Sequence, residues 1–275
     1  MTFTLILCTA QNFGAQLIRA FSSNYPNYTI HFVFSKGIPG KTWPDIPADV
    51  ENQRESSSPI FLCDNDEGIG CLRRTFPTIP VIAVSHKHNS LESLMGTPWL
   101  ILSPDALTPF FLEEVYCRSH KKPLTIARTA RCILRELIPA DLPGLLQLQS
   151  ENASNPDGCF FPAGCPNPDA FLLDYIQTQY PFFGFGMFGV IKKEDDVFLG
   201  IVGLLAEEDT AAISYSLLKQ HQHKGMATEA VRGLLAAAKL RWDFTDFTAI
   251  IHRNNTPSAR TAKRCGLHIR LYDIP

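Results

Sequence analysis

The chain has 275 residues and a formal net charge of −2 at pH 7, which gives no sequence-wide attraction to nucleic acid. With 45% hydrophobic and 19% charged residues it has the composition of a soluble globular enzyme with a sizeable core. The apolar start, Phe3 to Cys8, lacks a basic n-region and is too short for a signal peptide or a membrane span, so cytoplasmic residence without membrane contact is expected. Eight cysteines without a dense spacing pattern read as reduced core thiols rather than as a disulfide framework.

In chain order, strand-like runs at Phe3 to Cys8, Thr29 to Phe34, Pro59 to Cys63, Pro80 to Val84 and Trp99 to Leu102 alternate with segments of helical character. That order predicts a parallel α/β sheet of flavodoxin-like type over residues 1–122. The stretch from Gly37 to Ser58, rich in Pro, Gly, Ser and charge, reads as a long loop. His86-Lys87-His88 supplies too few ligands for a metal and reads as a surface turn. The interdomain boundary is expected at Ser119-His120-Lys121-Lys122-Pro123, with a second domain over residues 123–275.

In the second half, Phe185 to Ile191, the turn Glu194-Asp195-Asp196 and Val197 to Leu205 read as a hairpin. The aromatic residues Tyr180, Phe182, Phe183, Phe185 and Phe188 belong either to the core of that hairpin or to an apolar pocket. Cys159-x5-Cys165 has no second Cys or His pair nearby, so no metal is expected there. Ala212 to Leu218 is β-branched and aromatic-containing with partial alternation, and reads as a strand.

A polar run, Lys219 to Lys224, leads from that strand to a helix whose Ala227, Ala230, Val231, Leu234, Leu235 and Ala238 form one apolar face. The first N–H groups of such a helix lack intrahelical partners and carry partial positive charge, so an anion fits there. Gly225 has no Cβ and lets a phosphate approach the main chain; Lys224 adds a cation, and His221 or His223 is placed to add another. Phe247 to Ile251 reads as a buried strand. A helix follows, capped by Asn255 or Thr256, with Pro257 in its first turn and Gly266 at its stop.

Gln222-x-x-Gly225-x-Ala227 resembles the Gln/Arg-x-x-Gly-x-Gly/Ala signature of the GNAT superfamily of N-acetyltransferases, and Thr228-Glu229-Ala230 looks most like its ribosomal-protein N-terminal acetyltransferase branch. Asn255-x-x-Ser258, with Arg264 and Gly266-Leu267, resembles the second motif of that superfamily. Ala130 to Leu137 followed by Pro139 to Leu146 resembles its opening strand and first helix, so the likeness covers residues 128–275. It implies a mixed α+β GNAT domain that uses acetyl-CoA. The cofactor site it implies comprises Leu217, Gln222, His223, Lys224, Gly225, Met226, Ala227, Thr228 and Asn255, with a main-chain amide near Leu217 meeting the oxyanion. Residues 155–169 fall where relatives recognise the acceptor.

Direct transfer needs a neutral amine, a stabilised oxyanion and a proton for the leaving thiolate. Many relatives carry Glu on the strand before the pyrophosphate loop, where this chain has Ala212, and Tyr on the last helix, where it has Ala262. Glu207 and Glu208 are the remaining candidates for a water-mediated base, against a solvated acidic turn with Asp209. Ser258 is the candidate acid, against a hydroxyl that satisfies helix-start amides. Tyr215 reads as a packing residue of the sheet.

A protein N-terminus or another weakly basic small-molecule amine is the expected acceptor. The alternative is a non-catalytic acyl-CoA-binding regulator, motivated by the two alanines.

The first half weakly resembles a degenerate response-regulator receiver. Asp64 is near the phosphoacceptor position and Ser85 near the switch hydroxyl, whereas Cys8, Thr9 and Ser103 replace the acids and the Lys of receivers. That resemblance implies a dimerisation or regulatory module and leaves a phospho-signalling role without its metal and charge clamp. After Leu267 only residues 268–275 remain, so the last hairpin is expected to be short, with its edge covered within the chain or in a homodimer.

Overall fold

A computed structural model describes residues 3–9, 11–26, 30–34, 58–152, 158–207 and 210–273. The expected loop from Gly37 to Ser58 therefore lies outside the described residues, apart from Ser58 itself. The chain forms two compact units, Met1–Lys122 and Pro123–Pro275.

The first unit runs β1 (Phe3–Cys8), α1 (Gln11–Asn24), β2 (Ile30–Phe34), β3 (Ser58–Cys63), α2 (Asp66–Thr75), β4 (Val81–Val84), β5 (Trp99–Ile101) and α3 (Pro109–Ser119). All strand pairs are parallel, in the order β2-β1-β3-β4-β5, the flavodoxin-like doubly wound arrangement. Such a sheet is covered on both faces, which is why β1 is buried at every position. Leu5, Leu7, Ile60 and Leu62 pack on one side against Leu17 of α1 and Leu112 of α3. Ile6, Phe61 and Cys63 pack on the other against Ile69 and Leu72 of α2. Burial among these apolar neighbours pushes the Cys63 thiol up to about 11.

His86 departs from the surface turn its sequence suggests. Its ring stacks near Phe13, with centroids 4.6 Å apart, and its Nε2 lies 3.2 Å from Asp64 Oδ2, with 8% of the side chain exposed. The neighbour of Asp64 is thus His86, whereas the Ser85 N–H donates to the Ile101 carbonyl and prolongs the sheet.

The second unit runs β6 (Thr125–Arg128), β7 (Cys132–Glu136), α4 (Leu142–Glu151), α5 (Pro168–Phe183), β8 (Met187–Lys192), β9 (Phe198–Glu207), β10 (Thr210–Leu217), α6 (Met226–Arg241), β11 (Phe247–His252), α7 (Thr256–Cys265) and β12 (His268–Tyr272). Its seven-stranded sheet has the order β12-β11-β10-β9-β8-β7-β6, antiparallel from β6 to β10 and parallel from β10 to β12. β12 follows α7 directly and is an edge strand.

The aromatic run divides between two elements. Tyr180, Phe182 and Phe183 close α5, which stops at the left-handed Gly184, and Phe188 lies in β8. Tyr180 is fully buried; its hydroxyl accepts the Leu137 N–H at 2.9 Å and donates to the Met187 carbonyl, so α5 is pinned to the start of β8 and the end of β7. Among the described residues no helix is long and apolar enough to cross a membrane.

Tyr180→Phe removes both hydrogen bonds and leaves a buried N–H and carbonyl unmatched. It is expected to lower the stability of this unit by about 1–3 kcal/mol, read from urea unfolding followed by hydrogen exchange on peptides from residues 123–275. An unchanged unfolding midpoint would show that α5 is held by apolar contacts alone.

Candidate active site

The site starts from a sheet that parts. β10 keeps register with β9 from Thr210↔Glu207 to Leu217↔Gly200, but with β11 only at Ala211↔Phe247 and Ala212↔Thr248. The Ala211 N–H donates to the Asp246 carbonyl on the β11 side at 3.1 Å. Main-chain groups in a strand alternate between its two edges, so those of Ile213, Tyr215 and Leu217 face the gap that opens beyond Ala212. Gly200 permits the close approach of β9 and β10 behind the gap: its φ is 149°, and a Cβ there would overlap the Ser216 carbonyl oxygen.

The loop from β10 to α6 closes one end of this gap. Gln222 Nε2 donates to the Leu217 carbonyl at 2.7 Å. His223 (φ 60°) and Gly225 (φ 77°) are left-handed, and Gly225 caps α6 without any side-chain hydrogen bond to the first turn. The helix-start N–H groups thus remain without a side-chain acceptor, and a Cβ built on Gly225 would meet nothing nearer than Arg131 Nη2 at 3.7 Å. His221 Nε2 is buried and has no hydrogen-bond partner among the described residues. Burial first, then Lys224 and Lys192, holds this imidazole below its ordinary range, so it is neutral at pH 7. Unmatched N–H groups at a helix start are what a pyrophosphate requires.

A clamp fixes the loop from behind. Glu229, in the first turn of α6, accepts from Thr129 Oγ1, the Arg131 N–H and Arg131 Nε, each at 2.7 Å, and Arg131 Nη1 donates to the Lys224 carbonyl at 3.1 Å. Nothing in the local sequence signals this pairing across about a hundred residues.

Two cavities of about 550 Å³ each occupy the two sides of the gap. Leu217, Gln222, His223, Gly225, Met226, Ala227, Thr228 and Asn255 all line the first. Lys224 does not, because its Nζ turns to the Gln220 carbonyl at 2.9 Å. The second is lined by Phe160, Tyr175, Met187, Ala212 and Ile250, among others, and by none of the five aromatic residues that the sequence offered for a pocket. Cys159, from the segment 155–169, also lines it. Residues 153–157 of that region lie outside the described residues.

Tyr215, Asn255 and Ser258 line both cavities. The Tyr215 hydroxyl donates to the Ser258 carbonyl at 2.6 Å, and burial, with Cys265 beside it, pushes that phenol above its ordinary range. Asn255 Oδ1 accepts the Ser258 N–H at 3.2 Å, so the helix cap comes from Asn255. The Ser258 side chain is not part of that cap and is instead a hydrogen-bond partner of the Tyr215 phenol. Glu207 is the last residue of β9, and Glu208 lies outside the described residues. No group of His, Cys, Asp and Glu suited to a metal occurs among the described residues.

The family model described as an acetyltransferase (GNAT) domain matches residues 131–268, half of the chain. The chain belongs to this family and is an acetyl-CoA-dependent N-acyltransferase. Similar solved structures include an acetyltransferase from Agrobacterium tumefaciens str. C58, at 23% identity over 50% of this chain and 81% of that chain, with a TM-score of 0.43. A GNAT-family acetyltransferase from Bacillus anthracis matches at 19% identity over 51% of this chain and 81% of that chain, with a TM-score of 0.42. The ribosomal L7/L12 α-N-protein acetyltransferase RimL, solved in complex with coenzyme A, matches at 20% identity over 51% and 82%, with a TM-score of 0.43. Comparison with the curated proteins gives no match.

Gly225→Ala places a Cβ on a backbone with φ 77°, which costs about 1–2 kcal/mol for an L-residue. The variant is expected to unfold at lower urea and to bind coenzyme A about tenfold more weakly by calorimetry. Native affinity would show that the loop keeps its amides in place despite the strain.

Proposed function

We propose that this chain acetylates a weakly basic amine, a protein N-terminus or a small-molecule amine, by direct attack in the gap between β10 and β11. The observation that carries this reading is the wall of Tyr215, Asn255 and Ser258 common to the two cavities, which lets the two reactants meet from opposite sides. Acetyl-CoA supplies the activated acetyl thioester when bound.

The chain's own groups have separate tasks in this reading. The helix-start N–H groups of Met226, Ala227 and Thr228, with Gln222, His223, Gly225 and Asn255, hold the cofactor in the first cavity. The Leu217 N–H, turned toward the gap, is the donor for the oxyanion. The Ser258 hydroxyl, not used in the helix cap, hydrogen-bonds the leaving thiolate or the water that protonates it.

No Asp, Glu, Lys, Arg or His is among the described residues lining the second cavity, and Ala212 stands there without a carboxylate. Glu207, the last residue of β9, and Glu208, outside the described residues, are left as bases that act through water on the incoming ammonium. That arrangement suits amines that are already partly neutral. A lysine amine of pKa near 10.4 is only about one part in a thousand neutral near pH 7.4, whereas an α-amine of pKa near 7.8 is roughly a quarter neutral.

Two measurements test the reading. Steady-state kinetics on Ser258→Ala should show kcat reduced by about 100-fold with the KM for acetyl-CoA little changed; undiminished turnover would remove Ser258 from the chemistry. A thiol-release screen of peptides and amines should favour acceptors with free α-amines or other weakly basic amines. Reaction of lysine side chains with silence from N-termini would overturn the acceptor class.

A further inference from the structure

Beside the pyrophosphate loop lies an open recess of about 600 Å³ that shares Gly225, Thr228 and Arg264 with the first cavity and also takes in Arg131 and Arg232. Its arginines differ in what already neutralises them. Arg131 is committed to Glu229, with both Nε and Nη2 at 2.7 Å from Oε2. Arg232 has Nη2 on the Arg264 carbonyl at 2.9 Å and pairs with no carboxylate among the described residues. Arg260 and Arg264 are four residues apart on α7, so they share one helix face. Both line the first cavity, and neither has an ion pair or a side-chain hydrogen bond among the described residues.

Arg264 thus borders both spaces, with Arg260 on the first cavity and Arg232 on the recess, and the nearby carboxylate of Glu229 is already occupied by Arg131. Like charges so placed repel one another unless an anion joins them, and the guanidinium fork matches phosphate oxygens in pairs. Gly225, Thr228 and Arg264 border both spaces, so one molecule seated on the loop reaches these arginines with a further anionic group. Coenzyme A carries one phosphate besides its pyrophosphate, the dianionic 3′-monoester on the ribose.

We propose that Arg232, Arg260 and Arg264 form a subsite for this 3′-phosphate, so that the chain distinguishes coenzyme A from its 3′-dephospho precursor. The proposal rests on the reading of residues 222–228 as the pyrophosphate loop. Neither the loop signature nor the match to the family assigns these three residues a ligand.

Calorimetric titration of the full chain with coenzyme A and with 3′-dephospho-coenzyme A tests it. Native protein should bind coenzyme A about tenfold tighter or more, with the ratio shrinking as salt rises. In the exposed double variant R260Q/R264Q the ratio should fall to within about twofold, with an unchanged urea unfolding midpoint as the control for an intact fold. Equal affinity of the native chain for both ligands would overturn the subsite and leave the loop reading standing. A ratio that survives R260Q/R264Q would overturn the residue assignment, and binding of neither ligand would overturn the loop reading and the subsite together.

Discussion

The hydrogen bond from the Tyr215 hydroxyl to the Ser258 carbonyl spans the gap on which the whole site depends. β10 and β11 share only two residues of register, so beyond Ala212 no ladder keeps the start of α7 at a fixed distance from β10. The phenol does this instead. Because burial and the neighbouring Cys265 raise its pKa, it stays a neutral donor through neutral and mildly alkaline pH. Its ring lines both cavities, so one side chain sets the width of the gap and stands in the wall between the two spaces.

A second constraint comes from charge. An acidic residue in the first turn of a helix complements the helix dipole, but it also repels an anion arriving at the same end. Glu229 avoids the conflict because its carboxylate is turned onto Thr129 and Arg131, away from the loop amides. Burial alone would raise its pKa, yet these hydrogen bonds and the Arg131 charge prevail and hold it below the ordinary range. The pair is a neutral strut between the turn before β7 and the start of α6, and its field cancels close to where a pyrophosphate would lie.

Local periodicity and capping chemistry made α6, α7 and the strands before them readable from the sequence. Asn255, Pro257 and Gly266 mark α7 at the positions where its cap, first turn and stop occur. β1, β3 and β4 were legible for a related reason, since a strand buried on both faces is a short continuous apolar run. α5 was hidden because Pro181 and the Phe-rich end around Gly184 look like a strand and its turn, while Tyr180 is fixed by partners distant in sequence. β6 is only four residues long and gains its identity from pairing with β7. The Asp64–His86 contact and the Glu229 clamp are long-range polar pairs, and no periodicity within a segment encodes those.

The two alanines acquire a physical meaning once placed. Ala262 is fully buried on α7 and offers no proton donor, whereas Ser258, one turn earlier on the same helix face, reaches the shared wall with its hydroxyl unused by the helix cap. Ala212 is at the point where β10 and β11 separate and leaves the second cavity with no carboxylate among its described lining. In the proposed mechanism, the departing thiolate and the incoming amine are therefore treated unequally: Ser258 is the group assigned to the first, and the second is left to the acceptor's own acidity and to water. If the acceptor enters as proposed, its pKa filters substrates before its shape does, because an ammonium finds neither a base nor a counter-charge among the described residues of the cavity wall.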